Sequence, residues 1–455
     1  MRKLIIYCAA ILILGAPIAA RINLPESKSI KLDNGMQILV IERHNLPLFS
    51  LDFGFRCGSI HDPDGKFGLA NLCNEMMMRG TQTRTAQELA EEISFQGGSL
   101  SNYCGREMSG FSGEFLSEYG QSAIEILADI VLNSSFTEEE FTKTKTRTIA
   151  NLQSRLEDAS SMATEHIFNF ILTESPFAHI PSGNPVMVSG IKREAVLDFY
   201  KNAYTPDNCL LIICGDISAE MITQWCQKYF SNWKGKKILP AVKADFEKTK
   251  GMEIILYDKE DASQTQIRFG ANGPGMDAPD RIPFDAAQTI FAGSFTSRLV
   301  DEIRVKRGLT YGVSLRSSRF SDAGILYVST FTKNASVSEV LDIIFNETQK
   351  IKTIPLTDDE LNGIIRYRNG LYPLGFETNE AISSKYLNLW IYELNKSYYE
   401  DYQESFKKVT TESLMKAAKD NFPLENYRLV LIGNAEEVLP QLEKYGEVKV
   451  LPFYQ

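Results

Sequence analysis

The side chains that most often hold a metal ion or attack a substrate are few in this sequence and far apart. None of the four histidines lies within one helical turn of another, and the seven cysteines contain no Cys-x-x-Cys pair. A local pair of ligands is the usual sign of a zinc site in a sequence, so this spacing predicts no metal site. The cysteines beyond the N-terminal segment are expected to be free thiols in the core, with a disulfide left open; they are Cys57, Cys73, Cys104, Cys209, Cys214 and Cys226.

The composition is that of a soluble globular protein. The 455 residues are 44% hydrophobic and 23% charged, with a formal net charge of −10. These values exclude a disordered chain and a protein with many membrane spans. An acidic chain also lacks the positive charge on which non-specific nucleic-acid binding depends. The function is therefore expected to involve no nucleic acid and, for the mature chain, no membrane.

The N-terminus has the layout of a secretory signal peptide. The positively charged start Met1–Lys3 precedes an apolar run at 4–15 and small residues that end at Ala20. The run is shorter than the roughly 20 residues that a membrane-spanning helix needs. We expect residues 1–20 to be removed and the mature chain to be exported, with an uncleaved N-terminal anchor as the alternative.

The mature chain contains an internal repeat. The segments at 204–216 (YTPDNCLLIICGD) and 422–434 (FPLENYRLVLIGN) each indicate a turn, a buried strand and a glycine stop. Asn208 and Asn426 occupy the same place in the two segments and are 218 positions apart. Each segment also follows an amphipathic helical pattern. We therefore predict two homologous domains joined by a lysine-rich linker, with boundaries at 21–232 (first domain), 233–251 (linker) and 252–455 (second domain).

Strand and helix patterns are mixed in both halves without strict alternation, which favours an α+β fold over a doubly wound α/β fold. Asn34-Gly35 between two apolar runs predicts a hairpin. Apolar periodicity predicts helices at 68–78 and 137–156 in the first half and at 297–306 in the second. A further strand is predicted to begin at Tyr311.

The helix at 68–78 carries a family resemblance. Gly68–Thr81 (GLANLCNEMMMRGT) resembles the signature segment of the M16 zinc peptidases, the pitrilysin or insulinase-like family, which reads roughly Gly-Leu-Ala-His-Phe-Leu-Glu-His-Met-x-x-x-Gly-Thr. Gly97-Gly98 followed by Asn102 fits the same order, and so does Tyr204–Asn208. The resemblance covers nearly all of the mature chain. It implies two similar domains, each with a mixed, mainly antiparallel sheet and helices packed on it.

The metal-binding positions of that family are altered here. Its motif His-x-x-Glu-His places two zinc ligands one helical turn apart, with a general base before the second. The corresponding residues are Asn71, Asn74 and Glu75, and the resemblance places the family's distal glutamate ligand at Asn151. Amides are poor zinc ligands and cannot take a proton at neutral pH. These degenerate positions therefore predict no zinc and no catalytic residue in this chain alone.

A segment of the second half resembles the family's substrate-binding segment. It runs from Ser294 to Val313 (SFTSRLVDEIRVKRGLTYGV), and the resemblance places the substrate-contacting Arg and Tyr at Arg304 and Tyr311. A guanidinium can hold a peptide carbonyl, and a phenol can donate to an oxygen on which negative charge develops. The pair is therefore expected to bind substrate. Without the resemblance, an exposed Arg at a helix end and a Tyr beginning a strand would be the simpler interpretation.

The resemblance also implies a division of labour between two chains. In bacterial M16 pairs and in the mitochondrial processing peptidase, one subunit has the zinc motif and the other lacks it. This chain resembles the subunit without the motif. We expect a non-catalytic, substrate-binding subunit of an exported, periplasmic heterodimer. Zinc is expected in the partner subunit, with no cofactor in this chain and with unfolded peptides as substrates.

Two other hypotheses stay open. One is an inert structural or peptide-binding scaffold with the M16 fold. The other is a metallopeptidase with an unusual site around Glu75 and His61, which lies ten residues before Asn71. One loop histidine and one carboxylate fall short of a tetrahedral zinc site, so His61 is expected to lie on a surface loop.

Overall fold

The computed structural model describes residues 22–244 and 246–453. The predicted signal peptide at 1–20 lies outside the described residues. In the described part, no helix combines the length and the apolar character needed to cross a membrane. The chain folds around two six-stranded sheets, one from each half of the sequence.

The first sheet contains one parallel pair among antiparallel neighbours. Its strands are β1 Lys28–Lys31, β2 Gln37–Glu42, β3 Leu48–Phe55, β4 Ser99–Cys104, β5 Ser109–Leu116 and β6 Cys209–Gly215. Their order is β1-β2-β6-β3-β5-β4, in which β2 and β6 are parallel. β1 and β2 form the hairpin predicted at Asn34-Gly35, where Gly35 has a φ of 99° that glycine adopts without strain.

The first half contains both of the helices predicted for it, at 68–78 and 137–156. The helices of this half are α1 Leu69–Met77, α2 Ala86–Phe95, α3 Gly120–Asn133, α4 Glu138–Glu157, α5 Ala159–Ile171, α6 Pro185–Gly190, α7 Arg193–Ala203 and α8 Ala219–Phe230. α1 begins at a buried cap, because the Asp62 carboxylate accepts the backbone N–H groups of Gly68 and Ala70, both at 2.7 Å. α4 begins at Thr137, whose hydroxyl accepts the N–H of Glu140.

The second sheet repeats the pattern of the first. Its strands are β7 Met252–Asp258, β8 Gln264–Pro274, β9 Val313–Arg319, β10 Ala323–Lys333, β11 Tyr427–Gly433 and β12 Val448–Pro452, in the order β12-β7-β11-β8-β10-β9. The helices are α9 Arg281–Ala292, α10 Val337–Thr353, α11 Asp358–Leu371, α12 Asn379–Ile391, α13 Ser397–Glu400, α14 Tyr402–Lys407, α15 Thr411–Asn421 and α16 Ala435–Leu442.

Five strands of one sheet correspond to five strands of the other. In matching order, β2-β6-β3-β5-β4 corresponds to β7-β11-β8-β10-β9, with the parallel pair at the same end. The sixth strands differ, because β1 is antiparallel to β2 whereas β12 is parallel to β7. Each sheet has helices packed on it. The predicted α+β fold with two similar domains is therefore confirmed.

Each half sends one helix onto the sheet of the other half. α5 packs on β8 and β11 of the second sheet, and α12 packs on β3 and β6 of the first. Both contacts are apolar: one buried cluster contains Ile167, Phe168, Tyr327 and Val430, and another contains Leu210, Ile212, Tyr386 and Leu387. This burial of apolar surface joins the two domains into one unit.

The segment at 297–311 differs from the sequence prediction in two details. The helix predicted at 297–306 forms, but from Val300 to Val305 it is π-helical, and the N–H of Lys306 donates to the carbonyl of Asp301. Gly308, with a φ of 63°, closes this turn as a left-handed C-terminal cap. Tyr311 therefore lies in the connection that follows, and the strand begins only at Val313.

A buried carboxyl group lies where α12 covers the first sheet. Asp52 on β3 is 6% exposed, and its Oδ1 accepts the hydroxyl of Tyr103 at 2.8 Å. Burial raises the pKa of Asp52 to about 7, against the effect of that hydrogen bond, and the nearby Glu380 adds to the rise.

This raised pKa predicts a pH dependence of stability. The folded chain keeps a proton on Asp52 that the unfolded chain releases near pH 4, so the free energy of unfolding should fall as pH rises from about 4 to 7. In D52N, denaturation at pH 4.5 and 7.5 should show a smaller fall than in the wild type. D33N, at an exposed aspartate, should keep the wild-type fall. Equal falls in D52N and wild type would show that Asp52 has no raised pKa.

Candidate functional site

Three of the four degenerate metal positions lie around one pocket. Asn71 and Glu75 are one turn apart on α1, and Asn151 lies on α4. They line a pocket of about 320 Å³. The other residues that line it are Asn102, Thr148, Leu152, Arg155 and Ser182. Three of the positions identified from the family motif are therefore neighbours in space.

The fourth position, Asn74, lies behind this pocket and serves packing. Its side chain is 0% exposed. Its Oδ1 accepts the side-chain amide of Asn102 on β4 at 2.9 Å, and its own amide donates to the carbonyl of Gly110 on β5 at 3.4 Å. Asn74 thus ties α1 to two strands, in the place where the family motif has a base.

The Glu75 carboxylate is already neutralised by two guanidinium groups. Arg147 of α4 donates to its Oε1, and Arg79 lies 3.5 Å from the same oxygen. The hydroxyl of Thr148 donates to Oε2 at 3.3 Å. Sequence reasoning missed both arginines, although the spacing gave a signal. Arg79 is four residues after Glu75, just beyond the end of α1, and Arg147 is one turn before Asn151 on the same face of α4.

This set of donors does not fit zinc. Three neutral amides and one carboxylate line the pocket, and the carboxylate is held by two cations that would repel a divalent metal ion. Among the described residues, no three His, Cys, Asp or Glu side chains are grouped so as to hold a metal. No step of a reaction is therefore assigned to a metal in this chain.

His61 does not line this pocket. Its Nδ1 accepts the N–H of Gly58 at 3.3 Å, and its Nε2 lies 3.2 Å from the carbonyl of Pro240 in the linker. Burial, together with the charge of Lys237, lowers the pKa of His61 to about 4. A neutral imidazole that holds the linker is consistent with a structural role.

Arg304 and Tyr311 lie on the second domain with their polar groups available. The guanidinium of Arg304 lies 4.6 Å from the ring centre of Phe295, and in the described part it has neither a hydrogen bond nor an ion pair. Tyr311 is 83% exposed and Phe295 is 68% exposed. Because β9 is an edge strand that packs beside the π-helical turn, these groups border an open sheet edge. Sequence reasoning missed Phe295, although it lies in the same segment.

All six cysteines of the described part are free, and five of them are buried. Burial raises the pKa of the Cys57 thiol to about 12. Such thiols are weak nucleophiles at neutral pH. They act as small core side chains, as the sequence predicted.

Two descriptions of one family match most of the chain. "Insulinase (Peptidase family M16)" matches residues 40–187, and "Peptidase M16 inactive domain" matches residues 190–367. Together with the two-domain fold, these matches show that the chain belongs to the M16 peptidase family. The resemblance predicted from Gly68–Thr81 is therefore confirmed.

Individual relatives are similar along most of their length. A Rickettsia bellii protein named "Uncharacterized zinc protease" is 27% identical over 322 residues, which cover 70% of this chain and 77% of the relative. A Helicobacter pylori protein named "Non-peptidase homolog YmxG" is 26% identical over 359 residues, which cover 76% and 79%. The two names differ in whether the relative is a peptidase.

Solved structures share the fold. The peptidase M16 inactive domain from Pseudomonas fluorescens is 22% identical, with a TM-score of 0.83 over 90% of this chain and 98% of that chain. The periplasmic protease PqqL from Escherichia coli is 14% identical, with a TM-score of 0.77 over 95% of this chain and 51% of that chain. These structures place the chain in the M16 fold.

Proposed function

We propose that this chain is the non-catalytic, substrate-binding subunit of an exported heterodimeric M16 zinc peptidase. The observation that carries the proposal is a contrast between the two domains. In the first domain, Glu75 of the altered zinc motif is bound to Arg79 and Arg147. In the second domain, Arg304 has no polar partner in the described part, and Tyr311 is exposed.

The free pair has the chemistry of substrate binding. A guanidinium donates through several N–H groups in a fixed plane and suits the carbonyl oxygen of an extended peptide. A phenol can donate to a carbonyl oxygen on which negative charge develops. Arg304 and Tyr311 would orient the peptide, and the zinc of the partner subunit would supply the chemistry of hydrolysis.

The names of two similar proteins support the proposal that this chain has no peptidase activity of its own. One relative is named a non-peptidase homolog, and one neighbouring structure is described as an inactive domain. The periplasmic location of PqqL supports export of this chain, in line with the signal peptide predicted at 1–20. A closed chamber formed with the partner would favour unfolded peptides as substrates.

An inert scaffold with the M16 fold is the second candidate function. The same two names favour it, because neither mentions a partner. In that case Arg304 and Tyr311 would contact no reacting group, and their replacement would change no activity.

Purification of the tagged mature chain from its own cells separates the two candidates. The proposal expects a relative with an intact His-x-x-Glu-His motif to co-purify, and the eluate to cleave peptides until a chelator removes zinc. A chain that emerges alone and inert would favour the scaffold.

A further inference from the structure

A cleft of about 1030 Å³ lies between the second domain and the end of the linker (Phe246, Lys248 and Thr249), and it shares no lining residue with the altered metal pocket. One wall is formed by residues 271–275 at the end of β8. The other wall is formed by residues 419–426, where α15 turns into β11. The two domains are similar, so the corresponding place in the first domain can be identified and compared.

The strand registers identify that place. Leu211 on β6 pairs with Phe53, and Leu429 on β11 pairs with Phe269. Leu211 and Leu429 are again 218 positions apart. When residues are counted along the chain from these pairs, the two walls of the cleft correspond to residues 55–59 and 201–208 of the first domain.

In the first domain this place is filled by the linker. The N–H of Lys237 donates to the Oδ1 of Asp207 at 3.0 Å, and the N–H of Ile238 donates to the carbonyl of Asn202 at 3.2 Å. The carbonyl of Pro240 lies 3.2 Å from His61, next to the opposite wall. An extended, lysine-rich segment thus crosses from one wall to the other through its backbone.

In the second domain the chain takes another path. In the described part, the groups that correspond to the two acceptors of the first domain have no hydrogen-bond donor. After α16 the chain turns at Gly446 into β12, which pairs with β7. The equivalents of Asp207 and Asn202 are Glu425 and Asp420. In the described part, neither the Glu425 carboxylate nor the Asp420 carbonyl accepts a hydrogen bond. The buried side-chain amide of Asn272 in the other wall also lacks an acceptor.

The charge of the cleft indicates the kind of ligand. Asp420 of the cleft is paired with Lys416, which does not line it, and the remaining carboxylates still outnumber the lysines of the cleft: Asp277, Asp280, Asp322 and Glu425 against Lys248, Lys352 and Lys419. The segment that fills the first domain is correspondingly basic, Lys234-Gly-Lys-Lys237. Complementary charge favours a basic ligand.

We propose that this cleft binds an extended, basic segment of a partner polypeptide. The backbone of that segment donates to Glu425 and Asp420, as residues 237 and 238 donate in the first domain, and its lysines face the surplus carboxylates. This binding does not depend on the proposed peptidase role, because neither Arg304 nor Tyr311 lines the cleft and no cleavage is needed.

A labelled peptide tests this site on the mature chain alone. The probe is acetyl-KGKKILP-amide, the sequence of residues 234–240, and its binding is followed by fluorescence polarisation. We expect saturable binding that weakens about tenfold in the double variant E425A/D277N, since an acceptor and two charges are lost. Both residues are exposed, so the variant should fold.

The controls separate site binding from general charge attraction. E436A removes an exposed carboxylate outside the cleft and should bind like the wild type. A peptide with its lysines changed to glutamates should not bind. Unsaturable binding, or equal binding by E425A/D277N and wild type, would overturn the proposal. A dimer of this chain that dissociates in E425A would also overturn the proposal, because the cleft would then bind a second copy of the chain.

Discussion

Replacement of Arg304 by alanine is expected to lower kcat/KM of the assembled peptidase about 100-fold, the usual effect of removing one positioned donor at a reacting carbonyl. The guanidinium has no polar partner in the described part of the chain and lies over the ring of Phe295. Its loss should therefore leave the fold and the partner contact intact. Peptide cleavage by purified wild-type and R304A complexes, with subunit content checked by size-exclusion chromatography, measures the effect.

Arg307 supplies the matched control. It lies at the end of the same turn but is exposed and paired with Glu302 and Glu339. R307A should therefore cleave within about twofold of wild type, since exposed ion pairs contribute little. R304K should recover only part of the activity, because an ammonium lacks the planar set of donors. Equal cleavage by R304A and wild-type complexes would remove Arg304 from the substrate-binding role.

Replacement of Arg268 by alanine is expected to lower the free energy of unfolding by about 3 kcal/mol, because it leaves several buried hydrogen-bond acceptors without a donor. Arg268 on β8 is 2% exposed. Its guanidinium donates to the carbonyl and hydroxyl of Ser160, both at 2.9 Å, and to the hydroxyl of Thr164 at 3.1 Å. Both partners are on α5, so this side chain joins the first half of the chain to the second sheet.

Urea denaturation of the mature chain measures this loss. Burial lowers the pKa of Arg268 to about 10, so the group stays charged at neutral pH and its hydrogen bonds are charge-assisted. R316A provides the control, since Arg316 on β9 is exposed, and it should change stability by less than about 0.5 kcal/mol. Similar midpoints for R268A and R316A would show that the contact between the halves does not depend on Arg268.

The sequence predicted those parts of the structure that local pattern determines. The Asn34-Gly35 hairpin, the helix around Asn71 and the repeat at Asn208 and Asn426 follow from turn residues and apolar period. The exchange of α5 and α12 between the sheets was not predicted. An amphipathic helix shows that one face is buried, but its pattern does not say which sheet covers that face.

The candidate site was also predicted only in part. Motif alignment placed Asn71, Glu75 and Asn151, and the structure brings these three to one pocket. The spacing places Arg147 on the same helix face as Asn151, but it does not predict the ion pair with Glu75, because a contact between two helices depends on their packing. The π-helical turn before Tyr311, which is followed by the cap at Gly308, could not be detected by a test of α-helical period.

If this chain contributes substrate binding to a peptidase whose zinc lies in another subunit, activity should require both proteins. This can be measured by mixing two separately purified proteins, this mature chain and the relative with an intact zinc motif from the same organism. Cleavage of a fluorogenic peptide is then followed with and without a chelator. The account predicts little cleavage by either protein alone and strong, chelator-sensitive cleavage by the mixture. Cleavage by this chain alone, or by the relative alone at the rate of the mixture, would contradict it.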